Sequence, residues 1–243
     1  MLRRTALAAL IAVLFINVPV WSAISIGSPD DCDEGQDVVF DELGVINPQY
    51  TVSGVPIYDT VTVSMGSFFA GQTLGTFNNT LDNTVPSGPL RLAANAPNVE
   101  TLFDLANPTS IVVGGSDEGK YYTTPLAILF DNPVSHVCFN LGDLDANSPT
   151  LIEAFAADGT SLGTVDDLAP GTNRYSIGGG PISGVSIYIP DADGGMDWEG
   201  FGVSDLSFSA GVVPEPGTVV IWALLGLAAF SAAFNVSRQR DFA

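Results

Sequence analysis

Runs of β-branched and aromatic residues recur along the middle of this chain, alternating with polar residues and parted by Gly, Asn, Asp, Ser and Pro. A period of two puts successive side chains on opposite faces of an extended strand, and the intervening residues are those that reverse a backbone. No apolar pattern at helical spacing lasts more than about two turns. Val99 to Leu105 is the one short stretch that would suit a helix. The chain is therefore expected to be all-β, built as a sandwich.

Expected strands run through Val38–Phe40, Thr60–Ser64, Ser67–Phe69 and Ser110–Val113, the last ahead of a Gly-Gly turn. Leu126–Phe130 is expected to stop at the turn signal Asp131-Asn132-Pro133, with Val134–Leu141 and Leu151–Ala156 as new strands beyond it. Asp158-Gly159-Thr160 then reverses the chain into Ser161–Val165, since Asp-Gly is a hairpin signal. Arg174–Ile177, Val185–Ile189 and Phe201–Phe208 complete the set.

Both ends of the chain read as addresses rather than as fold. Met1-Leu2-Arg3-Arg4 is a basic start, Ala6 to Ile16 is an apolar core of 11 residues, and small residues follow. That order describes a secretory signal peptide over residues 1–22, cut after Ser22; an uncut anchor is the alternative. At the other end, Val213-Pro214-Glu215-Pro216-Gly217-Thr218 makes a stiff break before Val219–Val236, which is 18 residues without a charge. As a helix rising about 1.5 Å per residue this run covers roughly 27 Å, enough to cross a bilayer core. Arg238 and Arg240 follow it, where residues at the cytoplasmic face of a span belong.

Pro-Glu-Pro, a membrane-length apolar run and a basic end, in that order over residues 213–243, resemble the PEP-CTERM sorting signal of bacterial exported proteins. The basic end is short, with Gln239 between the two arginines and Asp241 after them. The resemblance implies that an exosortase-type membrane enzyme recognises Pro214, Glu215 and Pro216. It implies that the transmembrane helix 219–236, with Arg238 and Arg240 at its end, holds the chain in the inner membrane only transiently. The domain between the two ends, residues 23–212, would then reach the cell surface or the extracellular matrix, in the company of exopolysaccharide.

The whole chain carries a net charge of −20. Residues 23–216 keep three basic side chains, Arg91, Lys120 and Arg174, against 26 acidic ones. Nucleic acid and anionic lipid both demand Lys and Arg opposite phosphates, so neither is an expected partner. Cations, a neutral polysaccharide, or a purely solubilising role for the charge remain. The length suits one domain with a core of its own.

No Gly-x-Ser-x-Gly, His-Glu-x-x-His or glycine-rich phosphate loop occurs, and no spacing singles out a pair of carboxylates. The one histidine, His136, lies in an expected strand and reads as structural. The chain is thus expected not to be an enzyme, with an extracellular glycan hydrolase as an alternative. Cys32 and Cys138 are its two cysteines. Export to an oxidising compartment favours a bridge between them; a buried Cys138 with a free Cys32 is the other possibility.

The run after Asn132-Pro133-Val134, then Ala154-x-x-Ala157-Asp158-Gly159-Thr160-x-Leu162-Gly163-Thr164, Gly184-x-x-Ile187-Tyr188-Ile189-Pro190 and Trp198 to Phe208, resembles the jelly-roll domains common in PEP-CTERM proteins. The likeness covers roughly residues 36 to 210, and such domains are similar in architecture to carbohydrate-binding modules. It implies a jelly-roll-like β-sandwich whose first and last strands are neighbours. Asp41 and Glu42 would then meet Asp205 and hold Ca²⁺, which takes six to eight oxygens; solvated turn residues are the bland alternative. Asp143–Asn147 and Asp191–Glu199 are two further acidic stretches, read either as Asx turns or as metal loops. Trp198, in a polar loop, is the candidate to stack on a sugar ring, ahead of Tyr121, Tyr122 and Tyr175; Tyr188, between two isoleucines, is expected in the core. A carbohydrate-binding module with structural calcium is accordingly the alternative to a plain surface protein.

Overall fold

The structure is a computed structural model that describes residues 25–26, 35–76, 80–103, 111–117, 120–121, 124–144, 149–190 and 201–210. All of them lie within one compact unit, Trp21–Val212. Among the described residues the chain is all-β, with no helix. The early strands are β1 (Ser25–Ile26), β2 (Gln36–Asp37), β3 (Gln49–Val55), β4 (Asp59–Gly66), β5 (Thr73–Leu74), β6 (Thr80–Asn83), β7 (Val99–Phe103), β8 (Ile111–Asp117) and β9 (Lys120–Tyr121). After them come β10 (Leu126–Leu144), β11 (Leu151–Phe155), β12 (Ser161–Val165), β13 (Gly171–Pro190) and β14 (Gly202–Ser209).

Two long antiparallel strands, β10 and β13, organise the sheet. The first half of β10 pairs with the second half of β13, from Leu126↔Ile187 to Leu129↔Gly184. This end carries β4 and β3 on one side and β11 and β12 on the other. The second half of β10 pairs with the first half of β13, from His136↔Gly178 to Leu141↔Asn173. That end carries β1 on one side and β14 on the other, and β14 in turn carries β2 and β8, with β7 beyond.

The register between the two long strands slips twice between Leu129 and His136. The residues left out of this ladder are Phe130 to Pro133 and Ser135 on β10, and Gly179 to Pro181 and Ser183 on β13. Bulges of this kind bend a strand and raise its local twist. Each contains a proline, which has no N–H to give a ladder. Gly179 holds φ +121, a backbone region that only glycine enters without strain. The turn and the strand break expected here are therefore bends: the chain runs on through both instead of reversing. The Asp131 carboxylate steadies the first bend by accepting from the backbone N–H of Thr62, at 2.8 Å.

Bending brings the two halves over one core. Ile128, Ile152 and Val185 of one half share a single buried cluster with Phe139, Ile177, Val203 and Phe208 of the other. Phe130 and Phe208 meet edge to face with ring centroids 5.6 Å apart. A second, smaller cluster lies on the outer face of the first half, where Phe69 packs on Ala127 and Phe155 with Leu90, Leu92 and Leu129 around it. The segment between β4 and β7 thus covers one face of the sheet.

Local signals succeed where the contacts are local. Asp158-Gly159 closes the β11–β12 hairpin as expected: Gly159 sits at φ +85 and the Asp158 carboxylate accepts from Thr160 N–H at 2.9 Å. Val99 to Leu105, the one helix candidate, is instead strand β7 over Val99–Phe103, because ladder pairing with β8 outweighs a short helical pattern. Strand β8 likewise runs through Gly114-Gly115 without turning. A Cβ on Gly115 would stand 2.5 Å from the backbone nitrogen of Thr124, so glycine serves close packing there.

A side chain at Gly179 should work against the second bend. Gly179→Val is expected to lower stability by about 1–3 kcal/mol, read from the urea midpoint. An unchanged midpoint would mean that the bend does not depend on that conformation.

Candidate functional site

The signal peptide 1–22, Pro214, Glu215, Pro216, the span 219–236, Arg238, Arg240, Trp198, Cys32 and the acidic stretch 191–199 all lie outside the described residues. Cys138 is described. It is buried on β10 at 2 % exposure and is disulfide-bonded. His136 is half-buried on the same strand, its Nε2 at 2.5 Å from the Ser176 hydroxyl. Tyr175 and Tyr188 are both buried, which removes them as stacking platforms.

Asp41, Glu42 and Asp205 are all exposed. Strand β2 lies beside β14, with Asp37↔Ser207 paired and Val38 N–H donating to the Leu206 carbonyl at 2.8 Å. The carboxylates nevertheless serve different neighbours. Asp41 and Glu42 bear on Tyr50, whose hydroxyl is held above its ordinary range by burial first and then by these two charges. One Asp205 carboxylate oxygen accepts from the Asn140 side-chain amide at 2.6 Å. Among the described residues no group of three or more His, Cys, Asp or Glu is gathered in a way that would hold a metal.

What surrounds Asp205 is a cleft of about 410 Å³. Val38, Val39, Phe40, Ile111 and Leu206 contribute to its lining, with Val38 and Leu206 turning their side chains into the core and Val39 exposed. Its polar groups are Asp37, Arg174 and Asp205. Strand alternation places them: Phe139 and Leu141 enter the core, so Asn140 between them faces outward, and Arg174 is its partner on β13. Arg174 reaches across β10 to β14, donating at 3.5 Å to the Asp205 carbonyl and at 3.4 Å to the Ser207 hydroxyl. Both acceptors are neutral and both distances are long, so these bonds are weak. The register between β10 and β14 shifts just here, between Cys138 and Asn140, and Asp205 takes φ +49. The bulge turns Asp205 outward between the buried Ser204 and Leu206.

A second polar group was not visible in the sequence. Glu153 on β11 is 8 % exposed. Its carboxylate accepts from the Tyr188 hydroxyl at 2.8 Å and from the Ser161 hydroxyl at 2.6 Å. Its cross-strand neighbour Ser186 has a buried hydroxyl without a partner among the described residues. In the sequence, a Glu alternating with Ile152 and Ala154 reads as an outward residue of a half-buried strand. It does point away from the main core, but onto the face that the segment between β4 and β7 covers. Only the non-local fold decides that. Because its donors are hydroxyls, the group can hold a carboxylate in place without a cation.

No family model matches the chain. A search of curated proteins finds no match. Among solved structures, the chain is similar to one described as CBM51-2 in complex with GlcNAc and INT domains from Clostridium perfringens ZmpB, at 12% identity. The alignment covers 78% of this chain and 41% of that one, with a TM-score of 0.28, too low to bear on fold or function. The chain thus spans about two fifths of that structure's length.

Burial first, then the Glu153 charge and the hydrogen bond to it, push the Tyr188 hydroxyl far above its ordinary range. A phenol held neutral in the folded state contributes stability that is complete below its unfolded value, near pH 10, and is lost as pH rises above it. Stability is therefore expected to fall from about pH 10 upward, less steeply in Tyr188→Phe. At pH 7 the same variant should cost about 1–3 kcal/mol, since it leaves a buried carboxylate one donor short. Chemical denaturation at pH 7 and pH 11 checks both; equal pH slopes in the two proteins would refute the assignment.

Proposed function

We propose that this chain is an exported, non-catalytic protein of the cell surface or extracellular matrix, associated with exopolysaccharide, whose β-domain is a jelly-roll-like sandwich. The observation that carries the proposal is the order of elements at the C-terminus: Pro214-Glu215-Pro216, the uncharged run Val219–Val236, then Arg238 and Arg240. A stiff break, a membrane-length span and a basic end together suit a segment that halts the chain in the inner membrane for processing. The domain ahead of it supports the same reading. Among the described residues it is all-β, as a sandwich requires, and Cys138 is disulfide-bonded, as suits export. The acidic surface disfavours polyanionic partners and leaves neutral polysaccharide as a fitting companion.

In this proposal an exosortase-type enzyme acts at the Pro-Glu-Pro break. Mass spectrometry of the mature protein from its producing cells is expected to show no residues beyond about Pro216. Changing Glu215 and Pro216 to Ala should leave the span attached and the protein in the membrane fraction. Mature wild-type protein that retains Val219–Val236 would contradict the proposal.

A further inference from the structure

We propose that the cleft between β2, β13 and β14 is a binding site for neutral hexose units of a polysaccharide, with Arg174 and Asp205 reading adjacent hydroxyls and Val39, backed by Phe40, facing the sugar ring. This rests on the exopolysaccharide association proposed above and gives it a place on the molecule.

Charge selects the ligand class. The cleft holds one guanidinium, Arg174, between two carboxylates, Asp37 and Asp205. An anion would gain one partner and meet two repelling charges, within a chain of net charge −20. A cation would meet the guanidinium between the two carboxylates, and among the described residues no group of three or more ligating side chains is gathered to hold a metal ion. A neutral polyol suffers neither penalty. Each of its hydroxyls both donates and accepts, so two neighbouring hydroxyls can accept from Arg174 while donating to Asp205.

The groups are also available for such bonds. Arg174 has five donors in a planar fork, and among the described residues its contacts are two long bonds to neutral oxygens. Asp205 has one oxygen fixed by Asn140, which orients the carboxylate and leaves the other to a ligand. Its left-handed backbone at φ +49, taken up at the bulge, aims its side chain out into the cleft. Val39 is 67% exposed in the wall of the cleft, and Phe40 is half-buried with its ring against Tyr50, 5.3 Å between centroids. The exposed Val39 beside an oriented Asp–Arg pair suits the C–H face and the hydroxyl edge of one sugar ring.

The test uses the full-length chain in detergent, with dextran and laminarin as neutral probes and polygalacturonate as the anionic one. Saturable binding to a neutral glucan is expected. Arg174→Ala and Val39→Asp should each weaken it by about tenfold or more, and Asp205→Asn by less. Val39 is exposed, so its variant should keep the wild-type melting temperature and separate lost binding from lost folding. Preference for polygalacturonate, no binding to any of the three, or binding untouched by all three variants would overturn the assignment. Co-purification with the host's exopolysaccharide distinguishes the two levels. If it persists unchanged in Arg174→Ala, the cleft is wrong and the surface role stands. If wild type does not co-purify at all, the association itself fails.

Discussion

The hydrogen-bonded ladder between β10 and β13 is the contact on which the rest of the described structure depends. Each strand serves two halves of the sheet, which meet again where the run before β3 bridges β7 at Ile46↔Glu100. Two strands of this length laid straight would expose one face of each half to water. The paired bends at Phe130–Pro133 and Gly179–Pro181 avoid this by folding the sheet back on itself. Phe139, Ile152, Ile177 and Val185 are thereby withdrawn from solvent together. At about 25 cal/mol per Å² of apolar surface, even a few side chains of this size outweigh the ladder bonds given up at the bends.

The same ladder positions the polar groups. Arg174 and Asn140 are partners across it, and Asn140 in turn orients Asp205 on β14. A slip of one residue in the β10–β13 register would send Arg174 into the core and Tyr175 out, so the cleft and the core are specified by the same pairing. On the other half, Glu153 reaches Tyr188 because β11 lies beside β13, and the segment between β4 and β7 shuts both from water.

How much of this could be read beforehand follows from the range of each interaction. The Asp158-Gly159 hairpin was legible because its contacts lie within five residues of one another. Asp131-Asn132-Pro133 and the gap between Arg174–Ile177 and Val185–Ile189 were legible as interruptions, but not as bends. Whether an interrupted strand reverses or continues is decided by its neighbours, here β4 against Asp131 and β10 against Gly178. Val99–Leu105 misled because a helical pattern this short is outweighed by ladder pairing with β8, the next strand in the chain. Asp205 stood out as an acid in the last strand, and the structure places it in the lining of a cleft. Its companions there are Arg174 and Asn140, which no spacing relation links to it. Glu153 was hidden because the cover over its face comes from residues some 60 to 90 positions earlier in the chain.

Native-state amide hydrogen exchange tests most directly whether β10 and β13 join the two halves into one cooperative unit. The account predicts that Ile128 and Val185 of one half, and Phe139 and Ile177 of the other, exchange with the same free energy, equal to that of global unfolding. If the amides of one half exchanged through a distinctly cheaper opening than those of the other, the bends would be hinges between two separate units, and the account would be wrong.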